Sequence, residues 1–251
     1  VEDEQPLAGG NAAGPVVRVG DTVRKAWTAS TPSVSSYVDF LRSAGVDTPR
    51  PLGRDAQGRQ VQEFVPGPLA MDAQALSRAQ LRRVGGMVRA IHDASAAFVP
   101  AVDACWHSPI PAPDAELVCH NDLAPWNLIR GDRWVFIDWD AAAPSTRLWD
   151  LAYAAQTFTL GDVGRDPADA AQDLACFVTG YRADARLRTA LPSAMARRVD
   201  AMVHLLRSSE VSGVEPWASM SADGHGEHWE AVGRYVTAHE RVWREALTAG
   251  A

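Results

Sequence analysis

The spacing of apolar positions changes character twice along the 251-residue chain. Short alternating runs at Val16 to Val19 and Thr22 to Trp27, around the turn Gly20-Asp21, predict two strands. Val34, Val38 and Leu41 then repeat with helical period, and Thr31 or Ser33 is the candidate cap. Asp55-Ala56-Gln57-Gly58 reads as a turn, and Gln60 to Val65 as a strand ending at Pro66-Gly67. Beyond that point the pattern is mostly helical. Leu81, Val84, Val88 and Ile91 form a stripe within Leu76 to His92, and the last helix is expected to bury Trp229, Val232, Val236, His239 and Trp243. Residues 117–140 interrupt the helices with strand-like patterning, after a proline-rich connection over residues 99–116. The expected organisation is α+β: an N-terminal lobe over 1–66 and a larger, mainly helical lobe over 67–251, with a cleft between them.

Composition narrows the function classes. With 47% hydrophobic and 22% charged residues, the chain is ordinary for a globular protein. Its net charge of −7 argues against a nucleic-acid partner. No apolar run reaches the roughly 18 residues of a membrane span, so no membrane partner is expected. The acidic start Val1-Glu2-Asp3-Glu4 does not resemble a signal peptide, and a cytoplasmic location is the expectation. Cys105, Cys119 and Cys176 are too irregularly spaced for a metal site and read as small buried hydrophobes. Lys25 is the only lysine, in a chain that otherwise uses arginine.

The chemistry concentrates in Cys119-His120-Asn121-Asp122-Leu123-Ala124-Pro125-Trp126-Asn127, which contains H-x-D-x-x-x-x-N. Asp138, in Ile137-Asp138-Trp139-Asp140, follows Asn127 by eleven residues. Phosphoryl transfer needs one carboxylate to orient the attacking hydroxyl and accept its proton, and hard oxygen ligands to hold magnesium on the phosphates. Asp122, Asn127 and Asp138 supply those atoms. A hairpin turning at Gly131-Asp132 would pair Arg130 with Arg133 and Asn127 with Phe136. Alternation would then put Asp138 on the face of Asn127, a diagonal neighbour about 7–8 Å away.

These residues resemble the aminoglycoside phosphotransferase and choline kinase group, relatives of the protein kinases. His120 through Asn127 has the spacing of the kinase catalytic loop, and Asp138 stands where kinases carry a metal-binding aspartate. The resemblance implies a two-lobed kinase-like fold and γ-phosphoryl transfer from ATP or GTP to a hydroxyl of an aminoglycoside-like antibiotic or a metabolite. On it, Asp122 is the catalytic base or orienting residue, His120 braces the loop, and Asn127 and Asp138 hold Mg2+. Asp140 either assists the metal or faces solvent. Asp150 either caps the following helix or contacts the loop.

At the nucleotide end, Gly9 and Gly10, with Asn11 and Gly14, are candidates for a phosphate-covering loop. Either Arg24 or Lys25 would contact the phosphates, and the stretch holding Glu63 and Val65 resembles the hinge that meets the base. The group's small lobe often pairs its strand cation with a helix glutamate, whereas residues 33–42 offer only Asp39. The alternative function is therefore a kinase-fold nucleotide binder with lost or weak transfer. The pair His225 and His228 lacks a third ligand nearby and reads as a helix-start surface cluster.

Overall fold

The computed structural model describes residues 4–7 and 15–249. Gly9, Gly10, Asn11 and Gly14 lie outside the described residues. Five antiparallel strands build the small lobe: β1 (Gln5–Pro6), β2 (Val17–Val19), β3 (Thr22–Lys25), β4 (Pro51–Arg54) and β5 (Gln60–Glu63), in the order β1-β2-β3-β5-β4. Helix α1 (Thr31–Ser43) packs beside the sheet and buries Val34, Tyr37, Val38 and Leu41. Its start differs from expectation: Ser30 precedes the helix without a side-chain cap, and Pro32 supplies the preset backbone of a first turn.

The large lobe starts with α2 (Arg78–Ser95), opened by a capping box between Ser77 and Gln80. Strand β6 (Leu117–Cys119) pairs with β9 (Ala143–Ser145), and between them lies the hairpin β7 (Leu128–Arg130) and β8 (Trp134–Phe136). The chain closes with α3 (Arg147–Thr159), α4 (Pro167–Tyr181), α5 (Ala185–Ser212), α6 (Trp217–Met220), α7 (Gly226–Ala238) and α8 (Glu240–Thr248). The single terminal helix expected from Trp229 to Trp243 is two helices, α7 and α8, meeting at His239. Only Cys119 is a buried cysteine; Cys105 is exposed and Cys176 half-buried, which corrects the expectation for those two.

One continuous apolar core runs from α1 through all the long helices of the large lobe. Two contacts tie the lobes together near the cleft. The Tyr37 hydroxyl donates to the Val118 carbonyl at 2.9 Å, fastening α1 to the strand that leads into the catalytic loop. Val65 packs with Ile129 and Val135, so the segment after β5 rests on the β7–β8 hairpin. There Gly67, at φ 138°, abuts Gly131; a side chain on Gly131 would meet the Pro66 carbonyl at 2.5 Å.

Candidate active site

The loop between β6 and β7 carries His120, Asn121, Asp122 and Asn127 under distinct constraints. Asn121 adopts a left-handed backbone (φ 64°), and its amide donates to Asp150 Oδ1 at 2.8 Å. Its side-chain amide reaches the carbonyls of Ala141 and Ala143 at 3.1 and 3.2 Å. The Asp122 amide donates to His120 Nδ1 at 3.2 Å, which leaves Nε2 to donate to the Ile137 carbonyl at 3.1 Å. Burial lowers the His120 pKa, and its ring lies 4.5 Å from that of Trp139. A neutral imidazole with both nitrogens committed braces the loop.

Asn127 ends a 3-10 turn (Pro125–Asn127), and its amide donates to Asp122 twice, to the backbone carbonyl at 2.9 Å and to Oδ2 at 2.7 Å. Those donations leave the side-chain oxygen of Asn127, Oδ1, without a protein donor among the described residues. Asp138 follows β8 with φ 59°, a conformation that costs a non-glycine residue energy and recurs at functional sites.

The expected hairpin register is wrong by one residue. Arg130 pairs with Trp134, Leu128 with Phe136, and the turn holds three residues, Gly131 to Arg133. Arg133 is drawn outward instead, to Asp47 and Glu63 at 2.5 Å each. Asn127 consequently stands opposite Ile137, whose amide donates to it at 2.8 Å. Strict alternation from this register would separate Asn127 from Asp138. Asp138 nevertheless lies near enough to Asp122, the partner of Asn127, to act on its charge. Two departures from strand geometry intervene: the 3-10 turn at Asn127 and the left-handed residue at Asp138.

The choice between Arg24 and Lys25 is made by the pleat of β3. Lys25 is 3% exposed, and its ammonium lies 2.8 Å from Asp138 Oδ1 and 2.7 Å from Asp140 Oδ1. Arg24 takes the opposite face, where Thr22 and Asp55 hold it. Arg24 therefore does not reach the site. Burial alone would lower the Lys25 pKa; the two carboxylates reverse this and raise it above its usual value. The same ammonium holds Asp138 below the usual carboxylate range. Asp122 moves oppositely. Burial pushes its carboxyl up to about 7 and the Asp138 charge pushes the same way, against Tyr153, Asn127 and Arg198.

At the hinge, the Glu63 and Phe64 amides are already bonded to the carbonyls of Arg50 and Asp21. The Glu63 side chain is held by Arg133 and the Arg50 amide. Glu63 thus ties the sheet to the β7–β8 turn, and Val65 keeps an amide without a partner among the described residues. Asp150 is no cap: Thr146 caps α3 by accepting from the Trp149 amide at 3.1 Å. Asp150 is buried, accepting from Asn121 and lying 2.9 Å from His92 Nε2, with Tyr181 closing the chain at 2.8 Å from His92 Nδ1.

Sequence reasoning missed two residues. Arg198, buried on α5, donates to the Asn121 carbonyl at 3.3 Å and stands 4.2 Å over the Tyr153 ring. Tyr153, on α3, faces Asp122 and stacks on Trp229 with centroids 6.1 Å apart. Both lie in the helices after Asp150, where the sequence offers no motif to single them out. His228 edges onto Trp229, and His225 lies near enough to lower its pKa further after burial. Among the described residues, neither histidine joins a cluster of metal-ligating groups.

Residues 99–201 match the Phosphotransferase enzyme family. That match spans the catalytic loop, Asp138 and Asp150, the residues on which the sequence resemblance rests. The fold likeness covers nearly the whole chain. Amicoumacin kinase hAmiN, solved with AMP-PNP, Ca2+ and Ami, superposes with a TM-score of 0.69 at 14% identity, covering 91% of this chain and 88% of that one. A microcompartment-associated aminopropanol kinase gives 0.65 at 14% identity, covering 94% and 93%. A choline/ethanolamine kinase family protein from Mesorhizobium loti gives 0.60 at 17% identity, covering 99% and 93%. Among curated proteins, the trifolitoxin immunity protein of Rhizobium leguminosarum bv. trifolii is 29% identical over 168 residues. That match spans 61% of this chain and 61% of the relative.

Proposed function

We propose that this chain is a small-molecule kinase of the phosphotransferase type, moving the γ-phosphoryl group of ATP or GTP to an acceptor hydroxyl with Mg2+. The observation that carries the reading is the meeting of Lys25, from the small sheet, with Asp138, beside the Asp122–Asn127 pair in the large lobe. A cation for phosphate, hard oxygen ligands and a proton-accepting carboxylate are the parts phosphoryl transfer requires.

The residues fit a divalent ion. Asp138 and the Asn127 side-chain oxygen Oδ1 would be the ligands, and both are hard oxygen donors. Bound there, the ion would neutralise phosphate charge during transfer. Asp122 would orient the acceptor hydroxyl and take its proton, held by the Asn127 amide and by His120 beneath the loop. Asp150 would fix the loop from inside through the Asn121 amide. Lys25 would meet the nucleotide phosphates, and the Val65 amide would meet the base.

Tyr153, which meets Asp122, packs against Trp126 and Trp229 on the large-lobe side of the loop. An antibiotic-like small molecule or a metabolite alcohol is the acceptor class, and the name of the trifolitoxin immunity protein favours a protective role. The test is transfer of label from γ-labelled ATP and GTP across a panel of aminoglycosides, peptide antibiotics, amino alcohols and sugars, with Asp122→Ala as control. Label appearing on one acceptor in the wild type and not in D122A supports the reading. Equal labelling by D122A removes Asp122 from catalysis.

A further inference from the structure

A buried ammonium needs a counter-charge, because an unpaired one costs several kcal/mol. The small lobe offers Lys25 none among its described residues. Among the described residues, its carboxylates are Glu4, Asp21, Asp39, Asp47, Asp55 and Glu63. Glu4 and Asp55 bind Arg59, and Asp55 also faces Arg24. Asp47 and Glu63 bind Arg133. Asp21 is fully exposed and faces Arg18, and Asp39 lies on the exposed side of α1, away from Val34, Tyr37, Val38 and Leu41. Lys25 is left with Asp138 and Asp140 alone, both supplied by the large lobe.

These two partners are not equivalent. Asp138 is the carboxylate a divalent ion would claim under the function proposed above, on which this inference rests. Asp140 sits one 3-10 turn further on, in Trp139–Ala141, and meets the ammonium at 2.7 Å through a single oxygen. We propose that Asp140 is a positioning residue for Lys25, holding the ammonium in the cleft once the metal engages Asp138, in place of any carboxylate from α1. The strand cation of this chain is then anchored across the cleft rather than within its own lobe. Its aim at phosphate is set by contacts that both come from the large lobe.

Because Lys25 is the only lysine, its amine can be followed alone. One arm treats wild type, Asp140→Asn, Asp140→Glu and a control, Asp39→Asn, with sulfosuccinimidyl acetate in EDTA at fixed pH, reading acetylation of the Lys25 peptide by mass spectrometry. Circular dichroism confirms that each variant is folded. D140N should label about fivefold faster or more, and D140E and D39N near the wild-type rate. Wild-type labelling of D140N would overturn the assignment.

The second arm titrates AMP-PNP with EDTA and across a Mg2+ series. D140N should weaken metal-free binding about fivefold and leave the half-saturating Mg2+ concentration unchanged. A raised Mg2+ requirement with unchanged metal-free affinity would make Asp140 a metal ligand instead and overturn the proposal. If the wild type binds no nucleotide in either condition, the kinase reading fails. The labelling arm still decides whether Asp140 holds Lys25.

Discussion

Replacing Asp122 with Asn should make the protein more stable while abolishing its turnover. The Asp122 carboxyl is held at about 7 against an ordinary value of 3.8, chiefly by burial and then by the charge of Asp138. A carboxyl raised on folding costs nothing below about pH 4, where it is protonated folded and unfolded alike. The cost grows as pH rises towards 7 and stays constant above that. A difference of about three pH units corresponds to a ceiling of about 4 kcal/mol. Partial exposure and the hydrogen bonds from Asn127 reduce the expected gain to about 2 kcal/mol, or about 4–8 °C in Tm for a chain of this size. The assay is calorimetric unfolding of wild type and D122N in EDTA at pH 8, pH 6 and pH 4. The variant should lead at pH 8, and its lead should shrink steadily towards pH 4. A variant less stable at pH 8, or a lead independent of pH, would refute the argument that Asp122 is kept in the site at the expense of the fold.

Other substitutions separate the remaining parts. Lys25→Ala should weaken ATP binding about tenfold or more, whereas Arg24→Ala should change it less than about twofold; equal effects in a binding titration would contradict the facing of β3. Asp150→Ala leaves the Asn121 amide and His92 without their buried partner and should cost about 3 kcal/mol in urea unfolding, where a loss below about 1 kcal/mol would show the network to be dispensable. Gly180→Ala would place a methyl group 1.9 Å from the Arg82 carbonyl, where α4 crosses α2. It should cost about 3 kcal/mol by the same measurement, and an unchanged urea midpoint would show that the two helices can separate cheaply.

The chemistry-bearing residues were legible because their spacing is local. His120, Asp122 and Asn127 sit in one loop, and Asp138 lies just across a hairpin, so the sequence brings them near one another whatever the distant helices do. The hairpin argument nevertheless reached the right neighbourhood by the wrong register. The three-residue turn at Gly131–Arg133 is held by tertiary contacts, the press of Pro66 and Gly67 on Gly131 and the pull of Asp47 and Glu63 on Arg133. Propensity carries no trace of those contacts. The choice of Lys25 over Arg24 needed the phase of β3, which the short strand left open. Arg198 and Tyr153 were invisible for another reason: they come from distant helices without a motif, and only tertiary packing brings their tips beside the catalytic loop. The single break at His239 likewise follows from packing, with the terminal residues turning so that Trp243 and Leu247 are buried.

The central claim is that Asp122, Asn127, Asp138 and Lys25 form one site for a metal-bound nucleoside triphosphate, and its most direct test is ligand-dependent unfolding. Mg2+ and ATP together should raise the Tm of the wild type by several degrees, more than either alone, as a ligand binding only the folded state must. Asp138→Asn should lose the part that depends on Mg2+. No stabilisation of the wild type, or a Mg2+-dependent shift undiminished in D138N, would contradict the account.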